Sequence, residues 1–214
     1  MRITFLSDVG SWKKTQINTM ASKLRRAGHQ VASLHDEKAV PAGDVLFILG
    51  FFKIVPVAVL ARNKTNIVVH ESALPKGRGM SPVTWQVIEG AQAIPLTLFE
   101  AVEKVDAGKI YLRGKVRLSG NELLPEIRAK VAREMARLCL QFISRYPGIL
   151  KKGRLQKGSS TYYRWRKPED SRVDPKKSIA SQFNLLRTVD NDSYPAFFSH
   201  RGSRYVLKIE KKNP

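Results

Sequence analysis

Apolar and polar positions alternate along the first two-thirds of the chain in a pattern that switches between strand and helix periods. Residues 2–7 (Arg-Ile-Thr-Phe-Leu-Ser) are β-branched and aromatic and predict a first strand. Ile17, Met20, Ala21 and Leu24 follow at helical spacing, and Gly28 closes that helix. A second strand is expected at 30–34. Residues 44–50 (Asp-Val-Leu-Phe-Ile-Leu-Gly) form an uninterrupted apolar run, as in a parallel strand buried on both faces. Pro56 begins a short helix reaching Ala61, and 66–69 is another buried strand that ends at His70. Ser81-Pro82 opens a helix that Gly90 ends. Strands are expected at 96–100 and 109–113. A long helix over 121–146 carries the stripe Leu124, Ile127, Val131, Met135, Leu138 and Phe142, with Cys139 packed on it.

This alternation predicts an α/β fold: a Rossmann-like, mostly parallel sheet with helices on both faces. Such sheets bind ligands beyond the C-terminal ends of their strands, the edge that His70 occupies. Ser7-Asp8-Val9-Gly10-Ser11 does not match Gly-x-Gly-x-x-Gly, so a dinucleotide cofactor has no support. The pattern changes after residue 150. A strand at 161–166, a helix opening at Asp174-Pro175 with Ile179, Phe183 and Leu186 on one face, and a hairpin turning at 200–203 predict a small mixed α+β unit. The expected organisation is therefore a catalytic domain over 1–150 and a small basic C-terminal subdomain over 151–214, joined by a basic hinge at 151–160.

The 214 residues carry 38 Lys+Arg against 18 Asp+Glu, a formal net charge of +20. The C-terminal 64 residues hold 16 of the basic and 6 of the acidic residues, so they are the more basic part per residue. Anionic partners follow from this charge: nucleic acid, phosphorylated small molecules or polyglutamylated cofactors. No apolar run approaches the roughly 20 residues of a membrane span, so no membrane partner is expected. The single Cys139 rules out an internal disulfide and a multi-cysteine zinc site; no metal is expected. A reducing, cytoplasmic location fits.

The informative block runs His70-Glu71-Ser72-Ala73-Leu74-Pro75-Lys76-Gly77-Arg78-Gly79-Met80-Ser81-Pro82-Val83-Thr84-Trp85. It is followed by Pro95-Leu96-Thr97-Leu98 and then Asp106-Ala107-Gly108. In these three segments the chain resembles the folate-dependent formyltransferases, closest to the sugar-nucleotide N-formyltransferases and related to the methionyl-tRNA formyltransferase catalytic domain. The resemblance implies 10-formyltetrahydrofolate as formyl donor and an amine as acceptor. It also implies that His70 stabilises the oxyanion that develops on the formyl oxygen, with Asp106 as its acidic partner. Donor contacts are implied for Phe51, Phe52, Lys53 and Ile54 after one central strand, and for Val102 and Val105 before the catalytic Asp. Substrate contacts are implied for Ser72, Lys76, Arg78, Gly79 and Trp85. For Lys76 and Arg78 the alternative is a solvated basic loop, and for Phe51 and Phe52 it is the core.

Two departures stand out. The family's Asn two residues before the His is Val68 here, and Glu71 replaces a small residue or proline. Asn66 lies one further two-residue step of about 6.6 Å away along the strand, too far to substitute. Loss of one oxyanion donor costs roughly 100- to 1,000-fold in turnover, so another group such as Ser72 substitutes, or the chain is slow or silent. The segments 166–174, 184–187 and 195–197 resemble the stretch after the catalytic domain in the sugar-nucleotide and methionyl-tRNA branches. The latter usually adds a β-barrel for which 214 residues leave no room, and this favours a nucleotide-linked amino sugar as acceptor. An RNA-directed protein, and a formyl-folate hydrolase or inactive relative, are the alternatives. The small C-terminal units of the family often help form dimers, which implies a homodimer.

Overall fold

A computed structural model describes residues 1–212. Strand β1 (Arg2–Leu6) is followed by helix α1 (Lys14–Arg26) and strands β2 (Gln30–Leu34) and β3 (Gly43–Ile48). Helix α2 (Val57–Leu60), strand β4 (Asn63–His70), the two-residue strand β5 (Arg78–Gly79) and helix α3 (Pro82–Ile88) come next. Strands β6 (Ala93–Glu100) and β7 (Ile110–Arg117) precede the long helix α4 (Leu124–Ser144). One six-stranded sheet has the order β2-β1-β3-β4-β6-β7. Its first four strands are parallel, and β6 and β7 are antiparallel to their neighbours. The chain winds one way from β1 to β2 and the other way from β3 to β4. The switch point therefore lies between β1 and β3, where such sheets open a crevice.

Side-chain alternation assigns the two faces of the sheet. Ile3, Phe5, Val45 and Phe47 pack against Ile17, Met20 and Leu24 of α1 and Val131, Met135 and Phe142 of α4. Phe142 meets Phe47 edge-on at 6.1 Å between ring centroids. The opposite face, with Leu6, Leu46 and Ile48, is covered by Val59 and Leu60 from the single turn of α2. Cys139 is buried in the α4 core, and burial pushes its thiol pKa upward.

The C-terminal part adds strand β8 (Tyr162–Tyr163), the one-turn helix α5 (Phe183–Leu186) and the antiparallel hairpin β9 (Ala196–His200) and β10 (Ser203–Leu207). Val173, Leu186, Val189 and Ala196 form its small core. The buried Glu122 docks it on the large unit through Arg187, with Lys130 and the backbone N–H groups of Ser119 and Gly120 on the same carboxylate.

Three expectations are corrected. The basic hinge is a strap: Arg154 bridges to Ile110, and β8 pairs in parallel with β5. The strand expected over 161–166 is only two residues long, because Arg164 turns away to pair with Asp170 at the surface. No helix opens at Asp174. Its Oδ1 accepts the Lys176 N–H in a local turn and its own N–H is taken by Gln182, leaving Ile179 70% exposed.

Candidate active site

The end of β4 delivers His70, and its ring is fixed by the loop that follows. Register places Thr97 of β6 opposite His70, and Thr97 Oγ1 donates to Ser72 O at 2.6 Å. Arg113 of β7 donates to Leu74 O at 2.7 Å. Both bonds tie the loop to the antiparallel half of the sheet. The loop then returns so that His70 Nε2 donates to Gly77 O at 2.8 Å. A carbonyl only accepts, so Nε2 carries a proton and Nδ1 is the edge left for chemistry. That edge accepts a hydrogen bond in the neutral ring and donates one only in the imidazolium.

Asp106 lies in the β6–β7 connection in the left-handed region, at φ 54°. The connection turns back tightly because Gly108 lies against the sheet: a Cβ there would sit 1.9 Å from Glu100 O, so only glycine fits. Gln156 of the strap donates to Asp106 O at 2.8 Å and to Gly108 O at 3.0 Å. The Gly79 N–H donates to Asp106 Oδ2 at 3.3 Å. Gly79 in turn is pressed under β8, where a Cβ would come within 2.3 Å of Tyr163 O.

His70, Asp106 and Gly79 share the wall of a cavity of about 360 Å³ with Phe51, Phe52, Lys53 and Ile54 from the loop after β3 and Val102 and Val105 from the β6–β7 connection. Its rim is apolar and open: Phe52 is 57% exposed, Ile54 74% and Val105 56%. Val68 also lines it, while Asn66 gives its amide to Leu60 O at 3.0 Å and lies outside.

The remaining residues singled out from sequence line neither this cavity nor the next. Ser72 Oγ donates to Lys76 O at 2.8 Å, so it does not present a donor in place of the missing Asn. Lys76 is exposed to solvent. Arg78 is buried against Gln156 and Tyr162 of the strap. Trp85 Nε1 donates to Arg164 O at 2.9 Å, with the Arg164 guanidinium 4.7 Å over its ring. The Arg78 and Trp85 side chains clamp the strap over the site.

A second cavity, of about 460 Å³, was not anticipated. It opens at the switch point and is lined by Trp12 after β1, Arg128 on α4, and Trp165, Arg166 and Tyr194 from the C-terminal part. Arg128 is held by Asp190 at 3.0 Å. Arg166 is 8% exposed, donates to Thr188 O and Ser171 Oγ, and has its Nε unpartnered. Burial pushes its pKa below the usual arginine value. Lys13 and Glu71 form a buried ion pair and line both cavities. The sequence flagged Glu71 only as a departure, and gave Lys13 no local signal. Among the described residues, no group of three or more His, Cys, Asp and Glu is placed to hold a metal ion, and no helix is long and apolar enough to cross a membrane.

The fold is an open α/β sheet with its cavities beyond the strand ends. The chain belongs to the formyl transferase family, whose sequence profile matches residues 13–143. Members of this family take the formyl group from formyltetrahydrofolate. The fold is similar to that of a methionyl-tRNA formyltransferase from Clostridium thermocellum (TM-score 0.77, 19% identity, covering 95% of this chain and 90% of that one). It is similar to HypX from Aquifex aeolicus in complex with tetrahydrofolic acid (TM-score 0.79, 18% identity, 97% and 37%), so this chain spans just over a third of that protein. It is also similar to a 4-N formyltransferase from Francisella tularensis (TM-score 0.73, 15% identity, 100% and 98%). The match along most of the Clostridium chain removes length as an argument between the tRNA and sugar branches.

Proposed function

We propose that this formyltransferase moves the formyl group of 10-formyltetrahydrofolate to the amine of a nucleotide-linked amino sugar. The observation that carries this reading is the meeting of two unlike cavities at the end of β4. The first has the apolar, open rim that a flat heteroaromatic ring system would cover, with Phe51, Phe52, Ile54, Val102 and Val105 as its donor contacts and Lys53 near an acidic tail. The second combines Trp12, Trp165 and Tyr194 with the Arg128 and Arg166 guanidinium groups. Aromatic faces stack on a base, and the buried Arg166 guanidinium, whose Nε has no partner, attracts phosphate.

The donor supplies an activated formyl carbon. His70, with Nε2 committed to Gly77, offers Nδ1–H as imidazolium to the formyl oxygen as negative charge builds there. Asp106, whose Oδ2 accepts the Gly79 N–H, takes the proton lost by the attacking nitrogen and passes it to the tetrahydrofolate nitrogen, whose bond to the formyl carbon breaks as the carbonyl re-forms. Gln156 and the strap keep the carboxylate at this place.

A second reading, transfer to an aminoacyl-tRNA, is favoured by the Clostridium match and the net charge of +20. The test is incubation with 10-formyltetrahydrofolate and either a panel of nucleotide-linked amino sugars or methionyl-tRNA, with product mass as readout. Transfer to a sugar supports the first reading. Transfer to tRNA alone, with binding that weakens steeply with salt, supports the second.

A further inference from the structure

We propose that Glu71 is the residue that recognises the acceptor's amino group, with Lys13 as the counter-ion that keeps this carboxylate in place; this rests on reading the second cavity as the acceptor's. Among the described residues, Lys13 and Glu71 are the only ionisable side chains that line both cavities. They therefore stand where a formyl carbon from one side and an amine from the other must meet. Consecutive residues at a strand end point to opposite sides. His70 lines the first cavity alone, while Glu71 reaches through to the second.

The pair is poorly served as a structural element. Its side chains are 6% and 9% exposed, so both charges are largely stripped of water. Two apolar side chains would fill the same space at lower cost. Glu71 Oε1 is buried against the Lys13 ammonium and accepts no hydrogen bond from any described residue, and no described residue donates to Oε2. That second oxygen is free to take a charge-assisted hydrogen bond from a primary amine. The competing carboxylates are engaged or misplaced. Asp190 holds Arg128 and the N–H groups of Asp192 and Ser193. Asp106 and Glu103 line the first cavity only.

The experiment measures equilibrium binding, without donor, of UDP-glucosamine and a UDP-linked 4-amino sugar, each against UDP-glucose. Wild type, E71Q and the double variant K13M/E71L are compared. Wild type is expected to prefer at least one amine over the hydroxyl compound by about tenfold. E71Q is expected to lose that preference. K13M/E71L is expected to recover any melting temperature that E71Q loses, without recovering the preference. No preference in wild type, or a preference that survives in E71Q or returns with stability in the double variant, overturns the proposal. Failure of the proposed function reads differently, as absence of formyl transfer to any amino sugar by wild type.

Discussion

His70 Nε2 donates to Gly77 O at 2.8 Å, and this one bond decides which edge of the imidazole faces the chemistry. The same return of the chain places the Gly79 N–H on the Asp106 carboxylate. The loop between β4 and α3 thus orients both halves of the candidate acid–base pair from its own backbone. Preorganised donors of this kind need no rearrangement as charge develops.

His70→Ala and Asp106→Asn are expected to lower kcat by roughly 100-fold or more while tetrahydrofolate affinity stays near wild type. Steady-state kinetics with calorimetric folate binding separates the two effects. Wild-type turnover in either variant contradicts the assignment.

Much of this arrangement was legible in the sequence. Short apolar and β-branched runs bounded by turn residues predicted the six strands of the sheet, and the resemblance carried by the motif block singled out His70 and Asp106, which line one cavity. The strap was not legible. Gln156 and Thr161 lie in a stretch rich in Lys, Gly and Ser that reads as a linker. Only the fold shows that they bond the Asp106 loop and the Gly77 N–H. Ser72, Arg78 and Trp85 were singled out as substrate contacts because the motif contains them, and their side chains instead hold this loop and the strap. The Lys13–Glu71 pair joins segments far apart in sequence, a relationship that no local pattern encodes.

Gln156→Ala removes both side-chain bonds to the Asp106 connection. It is expected to lower kcat roughly 10- to 100-fold through misplacement of the carboxylate, and to lower the melting temperature because the buried Arg78 loses its Gln156 acceptor. An unaltered kcat would show that Gly79 and Gly108 suffice to hold the loop.

Val68→Asn places the family's amide donor on the strand face of His70. It is expected to raise kcat, up to the roughly 100-fold that one oxyanion donor contributes elsewhere. An unchanged kcat in a folded variant would show that another group already fills that role.

Glu122 sets an acid limit on docking of the C-terminal part. Burial works to raise its pKa, but the Lys130 hydrogen bond and the backbone N–H groups of Ser119 and Gly120 outweigh it and hold it at about 2, below the ordinary 4.5. A depressed carboxylate pKa contributes stability that is complete above 4.5 and is lost as pH falls toward 2. E122Q is expected to cost about 3 kcal/mol at neutral pH, because Arg187 loses its buried partner, and to flatten the acid limb. Denaturant melts of both proteins across that window check the sign.

The central claim is transfer of a formyl group to an amino sugar at the junction of two cavities. Its most direct test is the mass of nucleotide-linked amino sugars after incubation with 10-formyltetrahydrofolate and wild-type protein. The account predicts a gain of one formyl group on at least one acceptor, lost in His70→Ala. No gain on any sugar, with formate released to water as folate is consumed, would contradict it.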